Sequence, residues 1–240
     1  IQWKPEWPQV AVWEHIVAGA FALGAVASTA MPGVPRWTEP NGFDTTVRNA
    51  IRAKTPAGRS DAAHVSDLML TILVNHRLVD DLFVTWWGYG AGSVAFQMTL
   101  IDIETLAFSA GVNSLLAGAI GRQRPSVIDG CKTAEEKDTS DCTSNDRYRS
   151  FFSGHTTAAF TLAGLTCIHH ANLPLYGHPI ADALACLGGM AAATTTGALR
   201  IVADRHYMTD VIVGAVFGTA SGVTLPWLLH YRGGADVVLK

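Results

Sequence analysis

The sequence from residue 150 to residue 170 reads SFFSGHTTAAFTLAGLTCIHH, and its character changes at the glycine. Ser153, Gly154 and His155 stand together at a predicted helix start, and mainly apolar residues follow them. The first turn of a helix has unsatisfied N–H groups, and the helix dipole favours an anion there. The stretch therefore predicts an apolar helix whose first turn carries polar chemistry.

Apolar character extends over most of the chain. Of 240 residues, 49% are hydrophobic and 15% are charged, whereas a typical soluble domain is about 25% charged. Most of the apolar runs approach the roughly 20 residues that cross a bilayer as a helix; the runs cover 10–31, 82–101, 105–121, 156–172, 180–199 and 209–229. Alanine and glycine dominate them without a strand-like period of two. We predict an all-α fold, a six-helix transmembrane bundle forming a single domain over 1–240. The alternative is a soluble, alanine-rich helical domain.

The polar segments between the runs are uneven in length. Residues 32–62 and 122–150 form long connections, and 200–207 forms a short one. With six crossings, all three lie on the same face. The segment FDTTVRNAIR (43–52) predicts a short amphipathic helix, and VSDLMLTILV (65–74) extends the second helix or lies at the interface.

The four cysteines fall into two pairs. Cys131 and Cys142 bracket a polar loop, and we predict a disulfide between them, which stabilises a loop of this size by about 3 kcal/mol and indicates an oxidising compartment. Two free thiols are the alternative. Cys167 and Cys186 lie inside apolar runs and are predicted to be buried thiols.

Three clusters of polar residues lie at predicted helix ends on the same face. They are Arg122 with Arg124, then Ser153, Gly154 and His155, then Arg200, His206 and Asp210. Arginine presents a planar fork of donors that fits phosphate oxygens. Glycine lets a ligand approach the backbone closely, and Ser153 adds a hydroxyl donor. Together the clusters predict an anion pocket, whereas each one alone is more often structural.

The two histidines have different surroundings. His206 and Asp210 are four residues apart, so on a helix they lie on one face. An aspartate there fixes the imidazole tautomer and leaves the other ring nitrogen as a nucleophile or base. His155 is a second imidazole, available as acid and base. This arrangement predicts a phosphoryl-transfer site that needs no metal.

The clusters resemble the signature of the type 2 phosphatidic acid phosphatase superfamily, which also includes vanadium haloperoxidases and bacterial class A acid phosphatases. The family pattern is Lys-x6-Arg-Pro, then Pro-Ser-Gly-His, then Ser-Arg-x5-His-x3-Asp. This sequence matches it at Arg124–Pro125, at Ser153–Gly154–His155, and at Arg200, His206 and Asp210. The resemblance implies that His206 forms a phosphohistidine, that Asp210 orients it, and that His155 serves as acid and base. It also implies that Arg124, Arg200, Ser153 and Gly154 bind phosphate without a metal or other cofactor.

The sequence departs from this pattern at three positions. Ala117 stands where the family has lysine, Phe152 replaces the proline before Ser153, and Leu199 replaces the serine before Arg200. The first departure removes a cation from the phosphate pocket. We predict that Arg122 supplies part of the missing charge.

The expected function is an integral membrane lipid phosphatase acting on a lipid phosphate or diphosphate, with membrane lipids around it. The net charge of −3 gives no reason to expect a nucleic-acid partner. The alternatives are a phosphotransferase, a soluble acid phosphatase, a vanadium haloperoxidase or a non-catalytic lipid-binding relative. Most of the Lys and Arg residues fall on the predicted active-site face, which favours a cytoplasmic site. The paired loop cysteines favour the extracytoplasmic side of what we expect to be a bacterial cytoplasmic membrane, and we adopt that orientation.

Overall fold

Helices form nearly all of the regular structure. A computed structural model describes residues 1–31 and 33–233, apart from the side chains of residues 140 and 141. In chain order the α-helices are α1 (Val12–Thr29), α2 (Gly42–Ile51), α3 (Pro56–Leu78), α4 (Gly92–Ile120), α5 (Ser126–Asp129), α6 (Ser140–Thr143), α7 (Gly154–Asn172), α8 (Pro179–Val202) and α9 (Met208–Pro226). π-helical segments extend α3 over Val79–Gly88 and α9 over Trp227–Tyr231, and 3₁₀ turns cover Gly130–Lys132 and Asn145–Tyr148. Within the described ranges there is no β-strand, which agrees with the predicted all-α class.

The predicted apolar run 82–101 is not a single helix. The π-helical extension of α3 ends at Gly88, the chain turns at Gly90 with φ at +64°, and α4 begins at Gly92. α4 then continues to Ile120 without a break and takes in the next predicted run, 105–121. Composition did not separate the two helices because the residues at the junction are mostly glycine and alanine.

Among the residues that the structure describes, four helices are long and apolar enough to cross a membrane. They are α1, α4, α8, and α9 together with its extension to Tyr231. α3 is also long, but it carries charged side chains such as Arg59, Asp67 and Arg77, and α7 is rich in threonine and histidine. The six predicted crossings are therefore not confirmed, although six of the helices have 18 residues or more in the part of the chain that the structure describes.

α7 is the central helix, with α4, α8 and α9 packed around it. Its contact with α9 is close because glycines face it. A Cβ atom built on Gly218 would lie 2.4 Å from the carbonyl oxygen of Thr157, and one on Gly222 would lie 2.3 Å from that of Thr161. No side chain larger than hydrogen fits at these positions. The two backbones therefore meet directly, and the starts of α7 and α9 are brought together.

Ion pairs join the polar connections on one face of the bundle. The predicted amphipathic helix at 43–52 is confirmed as α2, and its Arg48 binds both carboxylate oxygens of Asp204 at 2.7 and 2.8 Å. Arg48 also donates to the carbonyl of Pro125 at 3.1 Å. Asp204 lies in the turn between α8 and α9 with φ at +58°. The predicted grouping of the three polar connections is therefore observed.

Two disulfides crosslink the chain. The predicted bond between Cys131 and Cys142 is confirmed, with Cα atoms 5.5 Å apart. Its loop is held against α3 by Glu136, which accepts from Arg59 at 2.6 and 2.9 Å. The prediction of buried thiols at Cys167 and Cys186 was wrong, because these residues form a second disulfide between α7 and α8. The two cysteines lie on adjacent helices, a proximity that helix periodicity alone does not reveal.

Candidate active site

The clusters around Ser153 and His206 meet at the start of α7. The Ser153 amide donates to the carbonyl of Asp210 at 3.1 Å, and the Ser150 amide donates to the carbonyl of Arg122 at 2.9 Å. These bonds join the segment before α7 to the first turn of α9 and to the segment after α4. Residues from all three predicted clusters therefore lie in one region.

His206 is buried in the turn before α9, and its ring is fixed by the backbone. Nδ1 lies 2.8 Å from the carbonyl oxygen of Ser150. A carbonyl only accepts hydrogen bonds, so Nδ1 carries the hydrogen and Nε2 keeps its lone pair. The pKa of His206 is lowered to about 4, first by burial and then by the neighbouring Arg124 and Arg200, while Asp210 opposes the shift. The imidazole is therefore neutral and available as a nucleophile at neutral pH.

Asp210 does not hold His206 in the way that the i,i+4 spacing predicted. His206 precedes α9, and its Nδ1 lies 3.7 Å from the nearest carboxylate oxygen of Asp210, too far for a hydrogen bond. That oxygen accepts from the Ser150 hydroxyl at 2.6 Å and from the Tyr207 amide at 2.9 Å. Asp210 therefore fixes the turn that carries His206 and the segment that holds its ring.

His155 occupies the first turn of α7, and its side chain is 39% exposed. Its Nε2 lies 3.1 Å from Oδ1 of Asp67, on α3. The pKa of His155 is lowered to about 3, mainly by burial and also by the charges of Arg200, His206 and Arg124. Without a bound anion, this imidazole is therefore neutral at neutral pH.

The first turn of α7 has an N-cap. The Ser153 hydroxyl accepts from the Thr156 amide at 3.4 Å and from the Thr156 hydroxyl at 2.9 Å, so Ser153 is the N-cap residue. Gly154 is the first residue of the helix, and the side-chain oxygen of Asn113 would lie 3.0 Å from a Cβ atom built there. Asn113 also donates to the carbonyl of Phe152 at 2.7 Å. The backbone at Ser153 and Gly154 is thus fixed from α4.

Arg200 and Arg124 supply positive charge beside the two histidines. Arg200 is buried and donates to Oδ1 of Asp67 at 3.0 Å. Arg124 is partly exposed, and its Nε donates to the carbonyl of Asp146 at 2.8 Å. Both arginines lie near enough to lower the pKa of His155 and of His206, as a phosphate pocket requires.

Arg122 is placed differently from the prediction. Its side chain is 1% exposed and binds the carboxylates of Asp44 and Asp210 at 2.5 Å each. Its guanidinium also lies 3.9 Å from the Trp37 ring centroid and 4.3 Å from that of Tyr207. Arg122 is therefore a buried structural cation that joins α2 to α9, and it does not replace the missing lysine as a phosphate ligand.

Position 117 faces into the protein. Ala117 is 4% exposed, and it lies one helical turn after Asn113, which contacts the segment before α7. A side chain at position 117 is therefore directed toward the segment before α7. Nearby, Arg149 donates to the carbonyl oxygens of Ser28 and Ser114, at 2.9 and 2.7 Å.

Sequence reasoning missed several residues that shape the site. Asp67, Asp44 and Asn113 lie on three different helices. Asp67 had the weakest signal, a single carboxylate in an amphipathic stretch. Asp44 and Asn113 are polar residues whose burial only the tertiary fold reveals. Within the described ranges, no group of three or more His, Cys, Asp or Glu residues is placed to hold a metal ion.

Comparison with known families agrees with this geometry. The family model of the PAP2 superfamily matches residues 99–233. The chain belongs to the PAP2 superfamily. The match begins within α4 and ends just after the extension of α9, so all three clusters lie inside it.

One curated relative gives a functional name. A protein of Schizosaccharomyces pombe (strain 972 / ATCC 24843), described as "Probable diacylglycerol pyrophosphate phosphatase 1", is 31% identical over 154 residues. The aligned region is 56% of this chain and 55% of the relative, so the chain spans about half the length of that protein. No solved structure matches the chain.

Proposed function

We propose that this PAP2 superfamily member is an integral membrane lipid phosphatase that hydrolyses a lipid phosphate or diphosphate through a phosphohistidine. One observation carries the proposal. The bond from Nδ1 of His206 to the Ser150 carbonyl leaves Nε2 with a lone pair, in a turn flanked by Arg124, Arg200 and His155. A fixed neutral imidazole beside two arginines is suited to nucleophilic attack on phosphorus.

The first step transfers the phosphoryl group to the enzyme. Nε2 of His206 forms a bond to phosphorus while the bond from phosphorus to the leaving oxygen breaks. His155 gives a proton to that oxygen. Arg124, Arg200, the Ser153 hydroxyl and the Gly154 amide bind the phosphoryl oxygens, where charge accumulates.

The second step regenerates His206. A water oxygen attacks phosphorus, the bond between Nε2 and phosphorus breaks, and His155 accepts the proton from water. Phosphate leaves with the oxygen of that water. We propose that arginines, the helix start and the two histidines are sufficient for both steps and that no metal is required.

The membrane setting of the proposal rests on the four apolar helices. In the proposed setting these helices span the bilayer and the acyl or prenyl chains of the substrate would lie beside the pocket. The disulfide between Cys131 and Cys142 is in the polar connection of that same face. Since disulfides persist in oxidising compartments, we propose that the site faces the extracytoplasmic side.

Trapping of the intermediate tests the proposal. Protein purified in detergent micelles is mixed with dioctanoyl phosphatidate bearing ³²P, quenched in alkali and digested. We expect acid-labile label on the peptide that contains His206, and phosphate release that persists with a strong chelator.

His206→Asn should abolish both label and turnover, because asparagine still donates to the Ser150 carbonyl but cannot attack phosphorus. His178→Asn is the matched control, since it removes an exposed imidazole at the remote end of α8 and keeps the N-cap acceptor there. Turnover of His206→Asn near the wild-type rate would refute the mechanism, and recovery of chelated protein only by Mg²⁺ would refute metal independence.

A further inference from the structure

Asp67 joins two groups that the proposed chemistry uses for different parts of the substrate. Its Oδ1 atom accepts from Nη1 of Arg200 at 3.0 Å and lies 3.1 Å from Nε2 of His155. Arg200 is assigned to the phosphoryl oxygens and His155 to the leaving oxygen. One carboxylate oxygen therefore occupies the point where these two parts of the substrate meet.

The carboxylate can leave this position without unfolding the site. The side chain of Asp67 is 54% exposed, whereas that of Arg200 is 4% exposed. Asp67 is on α3, a helix that contributes none of the residues of the three clusters. A bound phosphate would form hydrogen bonds with Arg200 and His155 in place of the Asp67 carboxylate. The carboxylate would move toward solvent, but its negative charge would stay close to His155.

We propose that Asp67 determines leaving-group specificity and disfavours an anionic leaving group. The inference rests on the proposed function. In a phosphate monoester the oxygen beside His155 belongs to an uncharged alcohol. In a diphosphate it belongs to a second phosphoryl group, whose charge faces Asp67. Asp67 repels the transferred phosphoryl group of both substrates, but only the diphosphate has a second charged group beside it, so its bound energy is raised more. The chain should therefore favour lipid monophosphates over diphosphates.

Asp67→Asn isolates the charge from the structural role. Asparagine is nearly the same size, and its oxygen can still accept from Arg200 and His155, so a purely positional role is preserved. The measured quantity is the ratio of kcat/KM for dioctanoylglycerol pyrophosphate to kcat/KM for dioctanoyl phosphatidate, both in detergent micelles. We expect this ratio to rise about tenfold at low salt, and less at high salt, where exposed charges are screened.

Asp61→Asn is the matched control. Asp61 is an exposed carboxylate on the same helix, so its neutralisation changes the net charge equally, and we expect the ratio to stay within twofold of wild type. An unchanged or reduced ratio in Asp67→Asn would overturn the proposal, as would an equal rise in Asp61→Asn.

A binding measurement separates this proposal from the proposed function. Calorimetry gives the affinities of wild type and Asp67→Asn for inorganic phosphate and for pyrophosphate. We expect the substitution to raise the affinity for pyrophosphate relative to that for phosphate. If wild-type protein hydrolyses neither lipid, the proposed function fails while this affinity ratio still decides the role of Asp67. If wild type is active and neither ratio changes, only the role of Asp67 is refuted.

Discussion

At the scale of single residues, the protonation of His155 depends on what the pocket contains. Burial and the surrounding cations lower its pKa to about 3, so in the free protein the imidazole is neutral at neutral pH and has a proton on only one ring nitrogen. In the proposed mechanism His155 is the general acid, and that role needs a proton on both ring nitrogens. A phosphate dianion bound as proposed would offset the charges of Arg200 and Arg124 and raise the pKa of His155. The substrate thereby promotes protonation of the acid that it needs.

This coupling predicts proton uptake when an anion binds. Between about pH 5 and pH 7, wild-type protein should take up a substantial fraction of one proton on binding vanadate or phosphate, because the folded pKa of about 3 rises with the anion in place. Calorimetry in buffers of different ionisation enthalpy measures the uptake. His155→Asn should lose it, and equal uptake by that variant would assign the proton to another group.

A second residue-scale prediction concerns Asp210. The buried Arg122 has two carboxylate partners, Asp210 and Asp44. Asp210→Asn removes one of these charges while Asp44 stays paired with Arg122, so the cost should fall below the roughly 3–5 kcal/mol of leaving a buried charge unpaired. We expect both a lower melting temperature in detergent and weak residual activity. Asp129→Asn is the control, since its carboxylate is half exposed and pairs with Arg48 and Arg52. Full stability with lost activity in Asp210→Asn would contradict the structural role.

The site was only partly predictable at this scale. The residue types and spacing of Arg200, His206 and Asp210 indicated an anion pocket with a nucleophilic imidazole. They could not show that the Ser150 carbonyl holds the His206 ring. Every residue has a backbone carbonyl, so residue types do not reveal which one accepts the hydrogen bond. Arg122 was misjudged for a related reason. Its partners, Asp44 and Trp37, lie in a connection whose path is set by tertiary packing.

At the scale of elements, the contact between α7 and α9 fixes the distance between the two halves of the site. Gly218→Ala would place a methyl group 2.4 Å from the Thr157 carbonyl oxygen and push α9 away. Such overpacking costs typically 1–3 kcal/mol, and we expect turnover to fall at least tenfold because His206 moves relative to Ser153. Thermal melts and phosphate release measure the two effects.

Gly188→Ala on α8 is the control for this substitution, since a Cβ atom there meets nothing within 4 Å. It should be neutral or slightly stabilising, because alanine favours helix more than glycine does. Equal losses of stability and turnover in both variants would show that the close α7–α9 contact does not set the geometry of the site.

Sequence patterns predicted the helices unevenly. α1, α7, α8 and α9 follow their apolar runs to within a few residues, because polar or turn-forming residues bound those runs. The junction between α3 and α4 was hidden inside the apolar run 82–101, where glycine supplies the turn without any polar residue.

At the scale of the whole molecule, the orientation in the membrane can be tested through the loop disulfide. We expect Cys131 and Cys142 to be crosslinked in freshly isolated membranes, and mass spectrometry of non-reduced peptides should find the bond. After reduction, a thiol reagent that does not cross membranes should label them in sealed cells. Two free thiols at these positions before reduction, or labelling only after lysis, would place the site on the cytoplasmic side.

The direct backbone contact between α7 and α9 also bears on how this protein can diverge. At the contact glycines of α9 there is no room for a larger side chain. Substitutions there separate the two helices, so selection should eliminate most of them. New substrate preferences must then arise on surfaces that leave this contact alone, above all on α3 and the loop docked against it. Over evolutionary time, the residues of the α7–α9 contact should change little, while those on α3 and the loop docked against it should vary. A saturation library scored for folding should show few tolerated substitutions in the contact and many on α3 and that loop.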